Sequence, residues 1–396
     1  MLDLLGDLES TDGAPRPDAG PGHSPAEPLN FTTGILPCQA LEQLIKVGKD
    51  IRGLEPIQDD QIQPASIDLR LGSVAYRVRA SFLPGKSSTV QEKLDQLAMH
   101  KMDITNGAVL EKGCVYVVPL LESLSLRHRY SARGNPKSST GRLDIFTRLI
   151  TDNATQFDSV PEQYKGPLYA EISPRTFSAL VRKGSRLNQL RIQYGSPRRS
   201  DKVATELQEQ YQLVGAKLEA SEIRDATVPI TVDVRGEASN GIIGYKARNH
   251  AGLIDVDRVA QYDLMDYWEP IRAPASNGLI LDPADFYILA SLEPVRVPSN
   301  LAAEMIAYDT LVGEFRVHYA GFFDPGFGDE AADGDGAKAV LEVRSYEVPF
   351  IIEHGQVVGR LEYQRLTAPP DRLYGSSGRS NYQRQGLALS KHFRMK

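Results

Sequence analysis

The sequence predicts a mainly β protein written twice: two related β domains in tandem, joined by a helical connector and preceded by a disordered arm. Three observations carry this expectation. First, the segments Ser66 to Tyr76, Val109 to Pro119, Asp144 to Thr151 and Leu168 to Ile172 are short and rich in Val, Ile, Leu, Tyr and Phe. Gly, Pro, Asn and Ser separate them, which is the punctuation of an all-β barrel or sandwich. Second, motifs of the first half recur in the second. Ile67-Asp68-Leu69-Arg70 answers to Val232-Asp233-Val234-Arg235, Ala154-Thr155-Gln156-Phe157-Asp158 to Ala320-Gly321-Phe322-Phe323-Asp324, and Tyr169-Ala170-Glu171-Ile172 to Val340-Leu341-Glu342-Val343. The displacements of 165 to 171 residues keep one order, the mark of a tandem duplication. Third, Val203, Leu207, Tyr211, Val214 and Leu218 recur every three or four residues amid Glu, Lys and Gln, as in an amphipathic helix.

These signals divide the chain in order. Residues 1–30 form an arm of Pro, Gly, Ala, Asp and Ser with few large apolar side chains, too little to offset the entropy of ordering. The first domain spans 31–200 and opens on a short helix from Pro37 to Val47, where Leu41, Leu44, Ile45 and Val47 fall near helical spacing. The connector spans 201–222, the second domain 223–370, and a C-terminal tail 371–396.

Composition narrows the function. The chain of 396 residues carries 45 Lys and Arg against 51 Asp and Glu, a net charge of −6, without the basic excess of a nucleic-acid binder. No apolar stretch approaches the ~18 residues of a membrane span, so no membrane partner is expected. Cys38 and Cys114 are widely separated among apolar neighbours, as buried thiols in a reducing compartment would be, and Met1 to Ser10 lacks the basic flank of a secretory signal. The expected location is cytoplasmic.

Two features carry candidate chemistry. Gly134-Asn135-Pro136-Lys137-Ser138-Ser139-Thr140-Gly141-Arg142 packs hydroxyls, cations and glycines together, the donor set a polyphosphate needs, although by composition alone it reads first as a solvated turn. Glu171 and Glu342 each stand within an apolar strand. A carboxylate facing a barrel interior has its pKa raised and suits general acid–base work, whereas on the outer face it is an ordinary surface glutamate. The histidines form no H-x-x-x-H or H-x-E pattern, and the zinc-deaminase signature is missing.

Taken together, Gln63-Pro64-Ala65-Ser66-Ile67-Asp68-Leu69-Arg70-Leu71-Gly72, Leu120-Leu121-Glu122-Ser123-Leu124, Lys137 to Arg142, and Gly166 with Glu171 resemble the dCTP deaminases of the dUTPase-like superfamily. Tyr374-Gly375-Ser376 and Asn381-Tyr382-Gln383-Arg384-Gln385-Gly386 resemble that family's nucleotide-closing tail, and the double length resembles a bacterial tandem-domain form. The resemblance implies two distorted β-barrels and hydrolysis of dCTP to dUTP and ammonia without zinc, with Mg²⁺ travelling with the triphosphate. It also implies a homotrimer or a multiple of one, taking dCTP and dUTP and no nucleic acid. A bifunctional deaminase and dUTP diphosphatase, a diphosphatase alone, and a silent nucleotide-binding regulator are the alternatives.

By motif position the resemblance makes Glu171 the base, Ser138 and Arg142 the orienting pair, and Lys137 and Ser139 the phosphate-side partners. Asp158, four residues after Ala154, would sit by the deoxyribose, and Asp324 matches it in the second repeat. Tyr374, Tyr382 and Gln385 would close on the nucleotide from a tail that makes few core contacts and whose Gly375-Ser376-Ser377-Gly378 run is too flexible to hold its own structure. The first repeat departs at Lys137, where the family usually has Arg, and in the loop from Ser159 to Tyr164. The second keeps Ala320 to Phe327 and Glu342 in family form but has Ala307 to Glu314 in place of the phosphate loop. Since family sites are built between neighbouring subunits, one repeat's phosphate loop could serve the other's base pocket. Glu342 is therefore a rival to Glu171, which ranks first because only its own repeat carries both halves of the pattern.

Overall fold

In the computed structural model, residues 33–196, 200–274, 278–306, 321–329, 332, 334–345, 347–376, 382–383 and 385–394 are described, together with the backbone of 315–318. The chain is mainly β, and the two halves repeat one another strand for strand. In the first half the strands Ala98–Asp103, Val74–Val78, Val115–Ser125, Lys165–Pro174 and Ile145–Thr151 lie side by side in that order. In the second, Trp268–Arg272, Ile242–Ala247, Tyr287–Val295, Ala337–Ser345 and Phe315–His318 do the same. A second sheet runs Gly34–Ile35, Asn188–Tyr194, Tyr130–Pro136, Ser159–Val160 in one half and Thr227–Thr231, Val357–Arg365, Leu301–Ile306, Phe322–Phe323 in the other. The duplication expected from the recurring motifs is thus also a duplication of topology.

Each half has its own apolar core. Leu41, Ile67, Leu69, Val118, Ile172 and Leu190 pack in the first, and Val228, Ile230, Leu289, Met305, Leu341 and Leu361 in the second. The central strands are covered on both faces, so their side chains read as near-continuous apolar runs. The first core continues across the junction. Trp268, fully buried, meets Phe177, Phe286 and Phe393 at ring separations of 5.7, 5.9 and 5.9 Å, joining both halves and the chain's end in one aromatic cluster. Beside it the strand Ile254–Asp255 of the second half pairs with Ala179–Val181 of the first, and Arg182 grips Asp255 with both terminal nitrogens.

Both expected helices form, with altered bounds. The first is Cys38–Lys46, burying Cys38, Leu41 and Leu44. The connector helix covers Asp201–Tyr211 rather than reaching Glu222. Ser200 caps its start by accepting from Val203 N, and Gln212 ends it at φ 48°. Val203 faces out while Ala204 and Gln208 are buried. Gln208 clamps the backbone of Val214, with its amide donating to Val214 O at 2.8 Å and its carbonyl accepting from Val214 N at 3.1 Å. Val214 and Leu218, placed on the helix by periodicity, therefore lie beyond it: a side-chain amide satisfies the backbone that another helical turn would have satisfied. The arm 1–30 and the segment from Ala307 to Glu314 lie outside the described residues. Among the described residues no helix is long and apolar enough to cross a membrane.

Candidate active site between the repeats

The loop after Tyr130–Pro136 forms one wall. Lys137 N donates to Leu187 O at 2.9 Å and fixes the loop's entry, and Lys137 O then accepts from Thr140 N and Gly141 N at 2.8 and 3.0 Å, closing a single helical turn over Ser138–Gly141. The turn presents Lys137, Ser138 and Ser139 to a cavity of about 570 Å³ and buries Arg142 at its base. The ammonium of Lys137 pairs with Asp68.

The facing wall belongs to the second repeat. Glu342 projects from the strand Ala337–Ser345, 5% exposed, and its Oε1 lies 3.9 Å from Arg142 Nε. Burial pushes the Glu342 carboxyl up to about 8, with the nearby Arg142 charge opposing the rise only partly. Two residues along each chain the polarity reverses, with Arg344 of the second repeat pairing with Asp144 of the first and donating to Thr176 Oγ1 at 2.8 Å. The crossed pairs lock the phosphate loop against the glutamate-bearing strand.

Asp324 stands at the turn after Phe322–Phe323. Arg191, crossing from the first repeat, donates to Asp324 Oδ1 at 3.0 Å and to Ala303 O at 3.0 Å, with its guanidinium 4.0 Å from the Phe322 ring centre. Burial raises the Asp324 pKa against the pull of Arg191. The turn continues through Gly326 at φ +95°. A Cβ there would come within 2.9 Å of Leu373 Cβ and 3.1 Å of Tyr374 N, so the tail's close passage depends on a glycine.

The tail forms the roof. Arg142 Nη2 donates to Gln385 Oε1 at 2.9 Å, Nη1 to Ala388 O at 3.2 Å, and the guanidinium lies 3.9 Å from the Tyr382 ring centre. Gln383 donates to Gly326 O and Ala332 O, both at 3.0 Å, and Tyr374 N donates to Pro325 O at 2.7 Å. Further on, Leu389 and Phe393 enter the core and Phe393–Arg394 pairs in parallel with Tyr262–Asp263. The expectation that the tail makes few core contacts is corrected for 385–394, because Leu389 and Phe393 anchor it beyond the contacts it makes at the cavity, while Ser377 and Gly378 of the glycine-serine run lie outside the described residues. Arg379, Asn381 and Arg384 lie outside the described residues.

Of the sequence-derived candidates, Ser138, Arg142, Lys137, Ser139, Asp324, Glu342, Tyr374, Tyr382 and Gln385 meet at this one cavity. Glu171, Asp158 and Ala154 do not line it, so the first repeat's glutamate and its rival Glu342 stand in different surroundings. Strand register gives the physical reason. Glu171 stands opposite Arg148, whereas Glu342 stands opposite His318. Arg148 donates to Glu171 Oε1 from Nη2 at 2.6 Å and from Nε at 3.2 Å, and lies 3.5 Å from the Phe157 ring centre, so the first repeat's glutamate is already tied to a guanidinium. Asp158 accepts from Leu149 N at 2.7 Å, and burial pushes its carboxyl up to about 7. Ala154 O accepts from Gly85 N at 2.9 Å, tying the alanine to the first repeat's own loops.

Sequence reasoning missed Arg191, Arg186, Arg372 and Lys391, of which the last three line the cavity. Arg191 had a readable signal, an arginine between Leu190 and Ile192 in an apolar strand. Lys391, seventeen positions beyond Tyr374, had none. Among the described residues no three His, Cys, Asp or Glu side chains cluster as a metal site, and neither Cys38 nor Cys114 reaches the cavity.

Both halves of the chain also match known proteins. The model for the 2'-deoxycytidine 5'-triphosphate deaminase N-terminal domain matches residues 32–196, and the model for the C-terminal domain of the same family matches residues 200–393. A solved structure titled 2'-deoxycytidine 5'-triphosphate deaminase from Agrobacterium tumefaciens is 54% identical. The alignment covers 85% of this chain and 100% of that one with a TM-score of 0.80. Proteins named "dCTP deaminase, dUMP-forming" from Mycobacterium tuberculosis and Mycobacterium marinum are 28% identical over 162 residues, which is 40% of this chain and 77% of theirs. With family models matched along both halves and a relative of this identity covered throughout, the chain belongs to the dCTP deaminase family.

Proposed function

We propose that the chain hydrolyses dCTP to dUTP and ammonia in the cavity between its repeats, with Glu342 as the base. The observation that carries this reading is the meeting of Glu342 and Arg142 in one buried, electropositive cavity. A carboxyl raised to about 8 is a proton acceptor matched to water near neutral pH. Water held between Glu342 and Ser138 attacks C4 of the cytosine and gives a proton to Glu342. As the C4–N4 bond breaks, that proton passes to the departing amine and the proton of the new C4 hydroxyl ends on N3, so that dCTP and water become dUTP and ammonia. Arg142, its charge fixed by Gln385 and Tyr382, offsets the negative charge of the Glu342 carboxylate before the proton moves and of the C4 adduct after it.

Asp324, braced by Arg191, faces the sugar, while Lys137 and Ser139 face the phosphates. Mg²⁺ enters bound to the triphosphate as part of the substrate and offsets its charge. The cavity's own acids Asp68 and Asp60 are held by Lys137 and Arg186, which suits a metal carried by the nucleotide more than one held by the protein. Zinc has no part in the proposed mechanism: among the described side chains the histidine beside the site, His392, has its Nδ1 against Ser390 Oγ and its Nε2 against Val256 O.

An assay with dCTP and Mg²⁺ that follows ammonia, dUTP and pyrophosphate together tests the proposal. Ammonia and dUTP in equal amounts are expected. Pyrophosphate with dUMP would place the chain with the activity named for its mycobacterial relatives, and no ammonia at all would overturn the reading.

A further inference from the structure

The cavity does not end at the phosphate loop. Behind Ser139 and Thr140 a second pocket of about 180 Å³ opens, bounded by Gly184, Leu187, Val256 and His392. It shares Lys137, Ser139, Arg186 and Lys391 with the main cavity, so three cations stand at the border of the two and form a cationic neck. Lys137 and Ser139, which face the phosphates in the proposed function, belong to that border. We propose that Lys391 and Arg186 read the terminal phosphate of the nucleotide and so make the enzyme select triphosphates over diphosphates.

The two cations differ in how they are held, and the difference favours an anion between them. Arg186 Nη2 donates to Asp60 Oδ1 at 2.9 Å, a mostly exposed carboxylate, which leaves the guanidinium's remaining donors facing the neck. The ammonium of Lys391 has no hydrogen-bond or ion-pair partner among the described residues, although it is half-buried. Burial and the adjacent Lys137 charge lower its pKa, and the charges of Asp68 and Asp257, each already paired with another cation, oppose this only partly. A crowded, partly desolvated cation without a counter-ion is costly by itself and is relieved when an anion arrives. The pocket's acid, Asp257, does not fill that role, since it is engaged by Arg182 and accepts from Ser185 Oγ at 2.6 Å.

Lys391 is also held in place. Its backbone N donates to Tyr382 OH at 3.1 Å and its carbonyl accepts from Ala260 N at 2.9 Å. On either side, Ser390 Oγ donates to Ser139 O at 2.8 Å and the His392 ring meets Val256 O at 2.9 Å. With the backbone fixed on both flanks, only side-chain freedom is lost when the ammonium meets phosphate. The same contacts bind the lysine to Ser139 on the loop and Tyr382 on the roof, so reading the last phosphate and holding the roof closed are one event.

This inference rests on the deaminase reading, and the test keeps the two apart. Ammonia release from dCTP and dCDP is compared in the wild type, Lys391→Gln and Arg186→Gln, alongside equilibrium binding of both nucleotides with Mg²⁺. Losing one charge-assisted hydrogen bond to phosphate implies a rise of about tenfold or more in KM and Kd for dCTP, with kcat far less affected. The ratio of dCTP to dCDP selectivity should fall by a similar factor, and Lys391→Arg should recover part of it. Equal losses for dCTP and dCDP, or no loss in either variant, would overturn the inference. If Lys391→Gln does not fold, Arg186→Gln and the wild-type competition of inorganic tripolyphosphate against pyrophosphate decide it, with the tripolyphosphate expected to bind more tightly. If the wild type releases no ammonia, the deaminase reading fails, while the binding comparison still judges the phosphate reader.

Discussion

Arg142 and Glu342 belong to different repeats, yet the guanidinium Nε of one lies 3.9 Å from the carboxylate Oε1 of the other, and both side chains are about 95% buried. The pair is longer than a hydrogen bond, so it neither neutralises the glutamate nor blocks it. Arg142 instead spends its two terminal nitrogens on the tail, while its Nε finds no hydrogen-bond partner among the described residues. The glutamate keeps a raised pKa and an accessible carboxylate, whereas its counterpart Glu171 is bonded twice by Arg148. The duplicated strands therefore carry the same residue in two chemical states.

That difference separates two variants. Glu342→Gln, nearly isosteric but unable to accept a proton, should lower kcat by about 10²–10⁴ while leaving dCTP binding largely in place. Glu171→Gln should turn over close to the wild-type rate and lose stability instead, since it weakens a buried charge-assisted pair. Steady-state kinetics with thermal melts distinguish the outcomes. An inactive Glu171→Gln beside an active Glu342→Gln would return the base to the first repeat.

The raised pKa of Glu342 fixes the sign of two pH effects. Catalysis needs the carboxylate, so kcat/KM should climb with pH through a limb near 8 in the free enzyme and flatten above it. Stability should run the other way. The folded carboxyl holds its proton to about 8 while the unfolded one releases it near 4.5, so between those values folding takes up a proton and stability falls as pH rises. Glu342→Gln removes that burden. Its melting temperature should exceed the wild type's at pH 8.5 and match it near pH 4, and equal melting temperatures at both pH values would show that burial does not perturb this glutamate.

Much of this was readable in the chain. Recurring motifs in unchanged order gave the duplication, and the strands Lys165–Pro174 and Ala337–Ser345 do occupy equivalent places in equivalent sheets. The loop from Lys137 to Arg142 was found because its residue types carry their chemistry with them, and the tail's Tyr382 and Gln385 because they match the family's tail. What could not be read was the pairing. Which loop faces which glutamate depends on how the repeats dock, and docking is set by Trp268, Phe177 and Phe393, which look like ordinary core residues in sequence. Arg148 shows the same limit on a smaller scale, because its place opposite Glu171 follows from strand register rather than from sequence spacing. Lys391 sits in no motif, and only the path of the tail brings it to the neck.

The tail's anchoring predicts that truncation costs more than activity. Ending the chain after Leu373 removes Leu389 and Phe393 from the core, side chains whose loss is worth on the order of 2–5 kcal/mol each, and exposes part of the aromatic cluster at Trp268. The truncated protein should therefore be inactive and melt several degrees lower. Ending it after Leu389 should spare more of the stability and still lose the contribution of Lys391. An unchanged melting temperature on truncation after Leu373 would mean that the tail lies on the surface without supporting the core.

Because one chain supplies the phosphate loop, the glutamate and the tail, its site should be complete in cis, in a trimer or in any other assembly. Two inactive variants test this: Arg142→Ala disables the first repeat's contribution and Glu342→Gln the second's. If sites form within chains, mixing the two variants after dissociation and reassembly gives no activity, because every site contains one defect. If sites form between chains, some pairings bring an intact Arg142 to an intact Glu342, and statistical mixing returns about a quarter of the wild-type rate. The arrangement also predicts a specific activity independent of enzyme concentration under dilution, provided the fold survives. The crossed pair of Asp144 and Arg344, which ties the two walls together within one molecule, gives the physical reason to expect the cis result. Recovery of activity in the mixed sample would show that the repeats exchange partners between chains.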